Sequence, residues 1–137
     1  MLVRIYRFIE MTQIINTSLI IGLGGFIGTI LRFLISSSIE KTYATSFPIG
    51  TVLVNLIGCF LIGLVSGYFT QKLEDQTQLS FFLTVGILGG FTTFSAIAME
   101  SQLFIENGEF LKMISYIVLQ ATLGIILCLI GYNLIKN

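Results

Sequence analysis

The sequence predicts an all-α membrane protein of four transmembrane helices, the third of them broken, and two observations carry that prediction. Of 137 residues, 55% are hydrophobic and only 10% charged, against roughly 25% charged in a soluble domain. The apolar residues gather into four stretches, about 14–38, 47–70, 79–105 and 110–135, each long enough for the roughly 20 residues a helix needs to cross the hydrocarbon core. The remaining ends and loops are too short to fold alone. Residues 1–137 therefore read as one four-helix transmembrane domain with no room for a soluble catalytic one.

The first span follows Arg4 and Arg7, as the apolar part of a signal peptide would. It runs past the usual 7–15 residues and offers no clear small-residue cleavage site, so it reads as a retained helix. Arg32 lies late in it, and a loop over 39–46 with Glu40 and Lys41 closes it. The second span carries Asn55 well inside, between Gly50-Thr51 and Gly58, and ends at a loop over 71–78 with Lys72, Glu74 and Asp75.

The third span contains Gly89-Gly90-Phe91-Thr92-Thr93-Phe94-Ser95, where paired glycines meet paired β-branched threonines at mid-membrane depth. This pattern predicts a helix break. Unwound backbone survives in a bilayer only when buried in protein or lining a hydrated site, and the carbonyls it frees suit a small hard cation. The competing reading is a smooth helix whose glycines allow close packing. After a turn around 106–109, the fourth span places Tyr116, Gln120 and Gly124 on one helical face. Gly24/Gly28, Gly63/Gly67 and Gly86/Gly90 are small-xxx-small pairs, which let helix backbones approach; contact within one bundle and contact between subunits stand equally open for each.

Charge and composition exclude several functions. Seven Lys and Arg balance seven Asp and Glu with no long basic run, so nucleic acid is not an expected partner. Histidine is absent, which removes the commonest ligand for zinc, copper and haem and the commonest proton shuttle near neutral pH. Cys59 and Cys128 lie in separate spans without CxxC spacing and read as small packing residues. No nucleophile and base pair or metal cluster is visible, so an enzyme is not expected. Arg4, Arg7, Lys72 and Lys136 fall on one side of the membrane and Lys41, Lys112 and Arg32 toward the other. Since Lys and Arg in short loops set orientation, this near tie predicts either a weak preference or insertion both ways, and antiparallel copies could build a two-fold pore.

Polar groups inside the spans mark where function is expected, because they are costly in hydrocarbon unless they face protein or water. Asn55 offers two donors and one acceptor, for an interhelical bond or for a ligand. Phe94, just past the expected break, has a partially positive ring edge that favours an anion, although taken alone it reads more readily as a packing residue, since most of the 12 Phe must face lipid or neighbours. Ionisable residues are confined to span ends, with Arg32 in the first and Glu100 in the third. No acidic residue lies mid-span, which argues against a transporter built on a buried carboxylate.

At this point the chain resembles the Fluc/CrcB fluoride channels over essentially its whole length. The matching pieces, in order, are Gly24-Gly25-Phe26-Ile27-Gly28 with Arg32, then Gly50-Thr51, Val54-Asn55, Gly58 and Gly63, then Gly89 to Ser95 and Glu100. The resemblance implies an antiparallel, dual-topology homodimer in the cell (inner or plasma) membrane, with two fluoride pathways and one central structural sodium ion. It implies that Asn55 donates to fluoride, that Phe94 offers its ring edge, and that Ser95, Tyr116 and Gln120 line a polar track. Backbone carbonyls of Gly89 and Thr92 would hold the sodium, and Arg32 and Glu100 would stand at the vestibule. The expected partners are fluoride, the lipid bilayer and a second copy of the chain or a paralogous subunit.

Two positions depart from that family. Its second box phenylalanine falls at Ile97, which has no ring edge, and a serine common in the fourth span is Gln120. The implied role is passive export of fluoride that enters as hydrogen fluoride and dissociates inside, relieving its toxicity. Fluoride is strongly hydrated, so its path must replace water with close donors yet release the ion at several weak sites; Asn55, Ser95 and Tyr116 are the expected donors. The alternatives are a subunit that is non-conducting or needs a paralogous partner, and a four-span exporter of cationic drugs.

Overall fold

The computed structural model describes residues 2–43, 45–72 and 77–136. They form α1 (Leu2–Tyr43), α2 (Ile49–Lys72), a third passage made of α3 (Gln78–Phe81), a π-helical stretch (Phe82–Leu88), α4 (Gly89–Phe91) and α5 (Phe94–Glu106), and finally α6 (Phe110–Lys136). Four helical passages, Glu10–Tyr43, Ile49–Lys72, Gln78–Glu106 and Phe110–Lys136, are long and apolar enough to cross a membrane. The expected spans fall within them, except that α2 begins at Ile49 rather than 47. Of the expected loop over 71–78, residues 73–76 lie outside the described ones.

The bundle consists of two parallel helix pairs, and glycine sets both. Along α1, a Cβ on Gly28 would meet the Ile87 carbonyl oxygen at 2.0 Å, and one on Gly24 would meet the Phe82 carbonyl oxygen at 2.7 Å and the Gly86 Cα at 2.9 Å. Along α2, a Cβ on Gly63 would meet the Cys128 carbonyl oxygen at 2.1 Å. Backbone therefore packs on backbone in each pair. In lipid the tails are as apolar as leucine, so close approach replaces hydrophobic burial as the source of helix association. All three small-xxx-small pairs are used within the chain: Gly86 and Gly90 face α1, while Gly63 and Gly67 face α6.

A small apolar core closes one end. Val52, Ile97, Phe104 and Tyr116 are buried together, with Phe47, Leu56 and Met113 against them. Tyr116 has no exposed surface and meets Phe47 edge-on, ring centroids 5.5 Å apart. At the other end, Lys72 lies over the Tyr68 ring and Lys136 over Tyr132, the aromatic and basic pairing suited to a membrane interface.

Between α5 and α6 the chain turns sharply. Gly108 has φ +73°, its N–H donates to Ile105, and the Glu109 N–H donates to Phe104. These bonds satisfy the last carbonyls of α5 in a Schellman arrangement, which needs a left-handed residue after the cap. Gly108→Ala is expected to lower stability by about 1 kcal/mol, read as a fall in the thermal midpoint of the detergent-purified protein; an unchanged midpoint would show that the turn rearranges freely.

Candidate functional site

The third passage leaves helical geometry at two residues. Thr92 has φ −89° and ψ 155°, Thr93 has φ −152° and ψ 118°, and the helix resumes at Phe94. Both are β-branched and favour extended backbone. Thr93 also supplies the N-cap of α5, its hydroxyl accepting from Ala96 N–H at 3.2 Å. Gly58 of α2 makes room opposite, since a Cβ there would lie 2.2 Å from Thr92 Cγ2.

Asn55 bridges this interruption. Its Oδ1 accepts from the Thr93 N–H at 2.8 Å, and its Nδ2 donates to the Thr93 carbonyl at 3.2 Å and to Gln120 Oε1 at 2.7 Å. The backbone fixes every amide orientation here. The Thr93 N–H can only donate and its carbonyl can only accept, so Asn55 has one possible orientation, and Gln120 must turn its oxygen toward Asn55. Gln120 Nε2 is then the open end, buried and without a hydrogen-bond partner among the described residues. Both hydrogens of the Asn55 amide, expected to serve fluoride, are engaged inside the chain.

Because the Thr93 N–H turns to Asn55, the Gly89 carbonyl loses the donor four residues ahead of it. Ala96 N–H turns to the Thr93 hydroxyl, which likewise deprives the Thr92 carbonyl. These are hard oxygen donors of the kind sodium takes, and no group of three or more His, Cys, Asp or Glu competes among the described residues. Arg32 Nε donates to the Gly90 carbonyl at 3.2 Å, which places a positive charge at the C-terminal end of α4, where it complements the helix dipole.

Glu100 gathers the neighbouring hydroxyls. Thr51 donates to its Oε1 at 2.6 Å and Tyr116 donates to its Oε2. Tyr116 therefore also has its hydrogen engaged, in contrast with its expected role as a fluoride donor. Ser95 lies at the exposed start of α5, its hydroxyl 3.0 Å from that of Thr93. Phe94 is 78% exposed, whereas Ile97, three residues on, is buried in the apolar core. A groove of about 450 Å³ runs along this surface, lined by Asn55, Thr92, Thr93, Phe94, Ile97 and Gln120 and continuing past Cys59 and Cys128.

Of the expected site residues, the structure brings Asn55, Phe94, Ile97 and Gln120 to one groove and puts Gly89, Thr92 and Arg32 at the break. Tyr116 and Glu100 form a separate hydroxyl and carboxylate cluster. Reading the sequence missed Thr51 and the role of Thr93. Thr51 is detectable, four residues before Asn55 on the same helical face. The π-helical stretch, in which the Gly89 N–H reaches back to Thr84, has no comparable signal.

Four spans around a polar break with a groove beside it define a multi-pass membrane protein with a candidate ion path. The profile of the family described as CrcB-like protein, Camphor Resistance (CrcB), matches residues 19–132. The chain is 41% identical over 114 residues to the fluoride-specific ion channel FluC of Aquifex aeolicus, covering 83% of this chain and 92% of that one. It is 38% identical over 126 residues to FluC of Ruminiclostridium cellulolyticum, covering 92% and 93%, and 33% identical over 121 residues to FluC of Rhizobium meliloti, covering 88% and 97%. This chain belongs to the CrcB family, a family of cell-membrane channels rather than enzymes.

Proposed function

We propose that the chain is a fluoride-selective channel, formed by two antiparallel copies, through which cytoplasmic fluoride leaves passively and its toxicity is relieved. The observation that carries this reading is the likeness to channels named fluoride-specific over 92% or more of their length. The geometry supports it, since the groove combines the exposed aromatic ring of Phe94 with the amide residue Gln120 and the hydroxyl residue Thr93, and Ser95 lies next to Thr93 with its hydroxyl 3.0 Å away. A small anion leaving water needs such close donors, each too weak to hold it.

Support for the second copy comes from the membrane itself. Gly89, Phe94 and Ser95 are exposed on the single chain beside the break, and interrupted backbone at that depth does not face lipid. A second copy covers the face, and near-balanced charge at the two ends permits it to insert in the opposite sense. The Gly89 and Thr92 carbonyls of both copies would then meet a sodium ion at the centre. Bound there, the ion would supply positive charge that holds the two breaks together.

The test is fluoride efflux from liposomes holding only this purified chain, followed with a fluoride electrode against chloride under the same potassium gradient and valinomycin. Fluoride-selective efflux is the expected result. Silence that ends when a paralogous subunit is added would favour the partner-dependent reading, which Ile97 makes specific, because it stands where the family carries a second ring. Silence with every partner would overturn the channel.

A further inference from the structure

We propose that the cleft between the first turns of α1 and the start of the third passage holds the headgroup of a phospholipid bearing a primary amine, with Glu10 as the partner of its ammonium. This cleft shares no lining residue with the groove at Asn55, so the proposal does not depend on what the groove conducts.

The cleft opens where glycine runs out on one face of α1. Gly24 and Gly28 bring α1 onto the third passage, and the contact reaches Ile21, whose carbonyl oxygen would lie 2.9 Å from a Cβ on Gly86. Followed back by threes and fours, the same face of α1 reads Ser18, Thr17, Ile14, Gln13 and Glu10. Side chains there hold the two helices apart, and a cleft of about 600 Å³ lies between them, with Gln78 and Phe81 as its far wall. That volume is within the roughly 300–1,000 Å³ of small-molecule sites. The match to the CrcB family begins at residue 19, so the whole α1 wall lies outside the matched segment.

Depth and polarity fit a headgroup. At the same end of the bundle Lys72 and Lys136 lie over Tyr68 and Tyr132, which marks the level of the membrane interface. From Glu10 to Ser18 the helix descends by about 12 Å, and Thr17 and Ser18 already fall inside the first apolar span. Among the described residues, no hydrogen bond joins the side chains of Glu10, Gln13, Thr17, Ser18 or Gln78 to a partner. Polar groups at this depth need a partner other than hydrocarbon.

The order of groups along α1 matches that of an aminophospholipid. From water inward, such a lipid presents an ammonium, a phosphate and then ester carbonyls. The cleft presents the Glu10 carboxylate, the Gln13 and Gln78 amides, and then the Thr17 and Ser18 hydroxyls. The ammonium donates to the carboxylate, while the amides and hydroxyls donate to the phosphate and ester oxygens. Ile14 and Phe81 give apolar surface to the glycerol and the first methylenes. Glu10 is the only charged residue of the lining, and it sets the selectivity. A phosphate without an ammonium meets that carboxylate uncompensated, and a quaternary choline group has no N–H to donate.

The experiment is native mass spectrometry of the full chain, released from detergent after incubation with phosphatidylethanolamine, phosphatidylcholine or phosphatidylglycerol at equal concentration. Phosphatidylethanolamine is expected to stay bound about five-fold more tightly than either of the others, the scale of one exposed ion pair. Glu10→Gln is expected to erase that preference, and Glu40→Gln, near the opposite end of α1, to leave it intact. Ser18→Trp fills the cleft and is expected to lose the bound lipid while eluting as wild type on size-exclusion chromatography. Soluble phosphoethanolamine at the same concentration is expected not to displace the lipid, because it lacks the part that rests on Ile14 and Phe81.

Equal retention of the three lipids would overturn the proposal and leave water or the second copy as the occupant of the cleft. A preference that survives Glu10→Gln would overturn it as well, since the ammonium would then be held elsewhere. Displacement by phosphoethanolamine would overturn the lipid as the source of the headgroup.

Discussion

Asn55→Asp is expected to suppress fluoride efflux and to weaken the fold at once. The substitution keeps the shape and leaves an acceptor for the Thr93 N–H, but an ionised carboxylate has no hydrogen for the Thr93 carbonyl or for Gln120 Oε1, the two acceptors that Asn55 now serves. Both oxygens would face another oxygen in a buried place. If the carboxyl takes up a proton, its single hydrogen satisfies only one of them. Unpaired buried polar groups cost about 1–3 kcal/mol each, so the loss of stability is expected at about 2–4 kcal/mol. Efflux should fall by at least about a hundred-fold, since the same change places negative charge beside the anion path and removes the anchor of the break. Liposome efflux and the thermal midpoint in detergent measure the two effects. Wild-type values of both would show that neither the break nor the pathway depends on this amide.

Gly63→Leu is expected to prevent assembly of the bundle. A Cβ at Gly63 would lie 2.1 Å from the Cys128 carbonyl oxygen and 2.9 Å from its carbon. These are backbone atoms of α6 and cannot turn aside as a side chain can, so α2 and α6 must separate along their length. Overpacking of a core costs about 1–3 kcal/mol where side chains can adjust, and this site exceeds that range because the obstacle is main chain. Separation would also pull Asn55 from Gln120, which lie across the same seam. Loss of a monodisperse peak on size-exclusion chromatography is the expected result. The control is Gly22→Leu on the open face of α1, where a Cβ meets nothing within 4 Å; it should elute as wild type. Matching elution of both variants would mean that the α2 and α6 contact is dispensable.

The cluster at Glu100 bears on the drug-exporter alternative. Such a transporter needs a carboxylate that gains and loses protons in contact with its cargo. Here the oxygens of Glu100 accept from Thr51 and from the fully buried Tyr116, which ties the carboxylate into the packing between α2, α5 and α6. Glu100 stands on the third passage six residues after Phe94, and the groove wall does not include it. Through these bonds Glu100 joins the helices that Thr51 and Tyr116 belong to.

Much of this protein was readable from the order of its residues. The four spans follow from hydropathy, because a window of about 20 apolar residues is itself the physical requirement for crossing a bilayer. The interruption at Thr92 and Thr93 follows from local preference, since paired β-branched residues after paired glycines weaken a helix where they stand. Asn55 and Gln120 are conspicuous as amides in apolar surroundings. Each of these signals is carried by neighbours along the chain.

Only the tertiary structure decided what those groups do. Each glycine pair suits a contact inside the bundle or between subunits, and the parallel packing of α1 on the third passage and of α2 on α6 uses all three within the chain. Ile97 is three residues from Phe94, yet one side chain joins the core and the other stands open at the groove. The sequence marks Asn55 as a polar group in the wrong solvent; the fold shows that its hydrogens are engaged by the Thr93 carbonyl and Gln120. Hydropathy and helix preference are properties of a local stretch of chain. Hydrogen-bond satisfaction belongs to pairs of groups that are distant in sequence, so it exists only once the helices have packed.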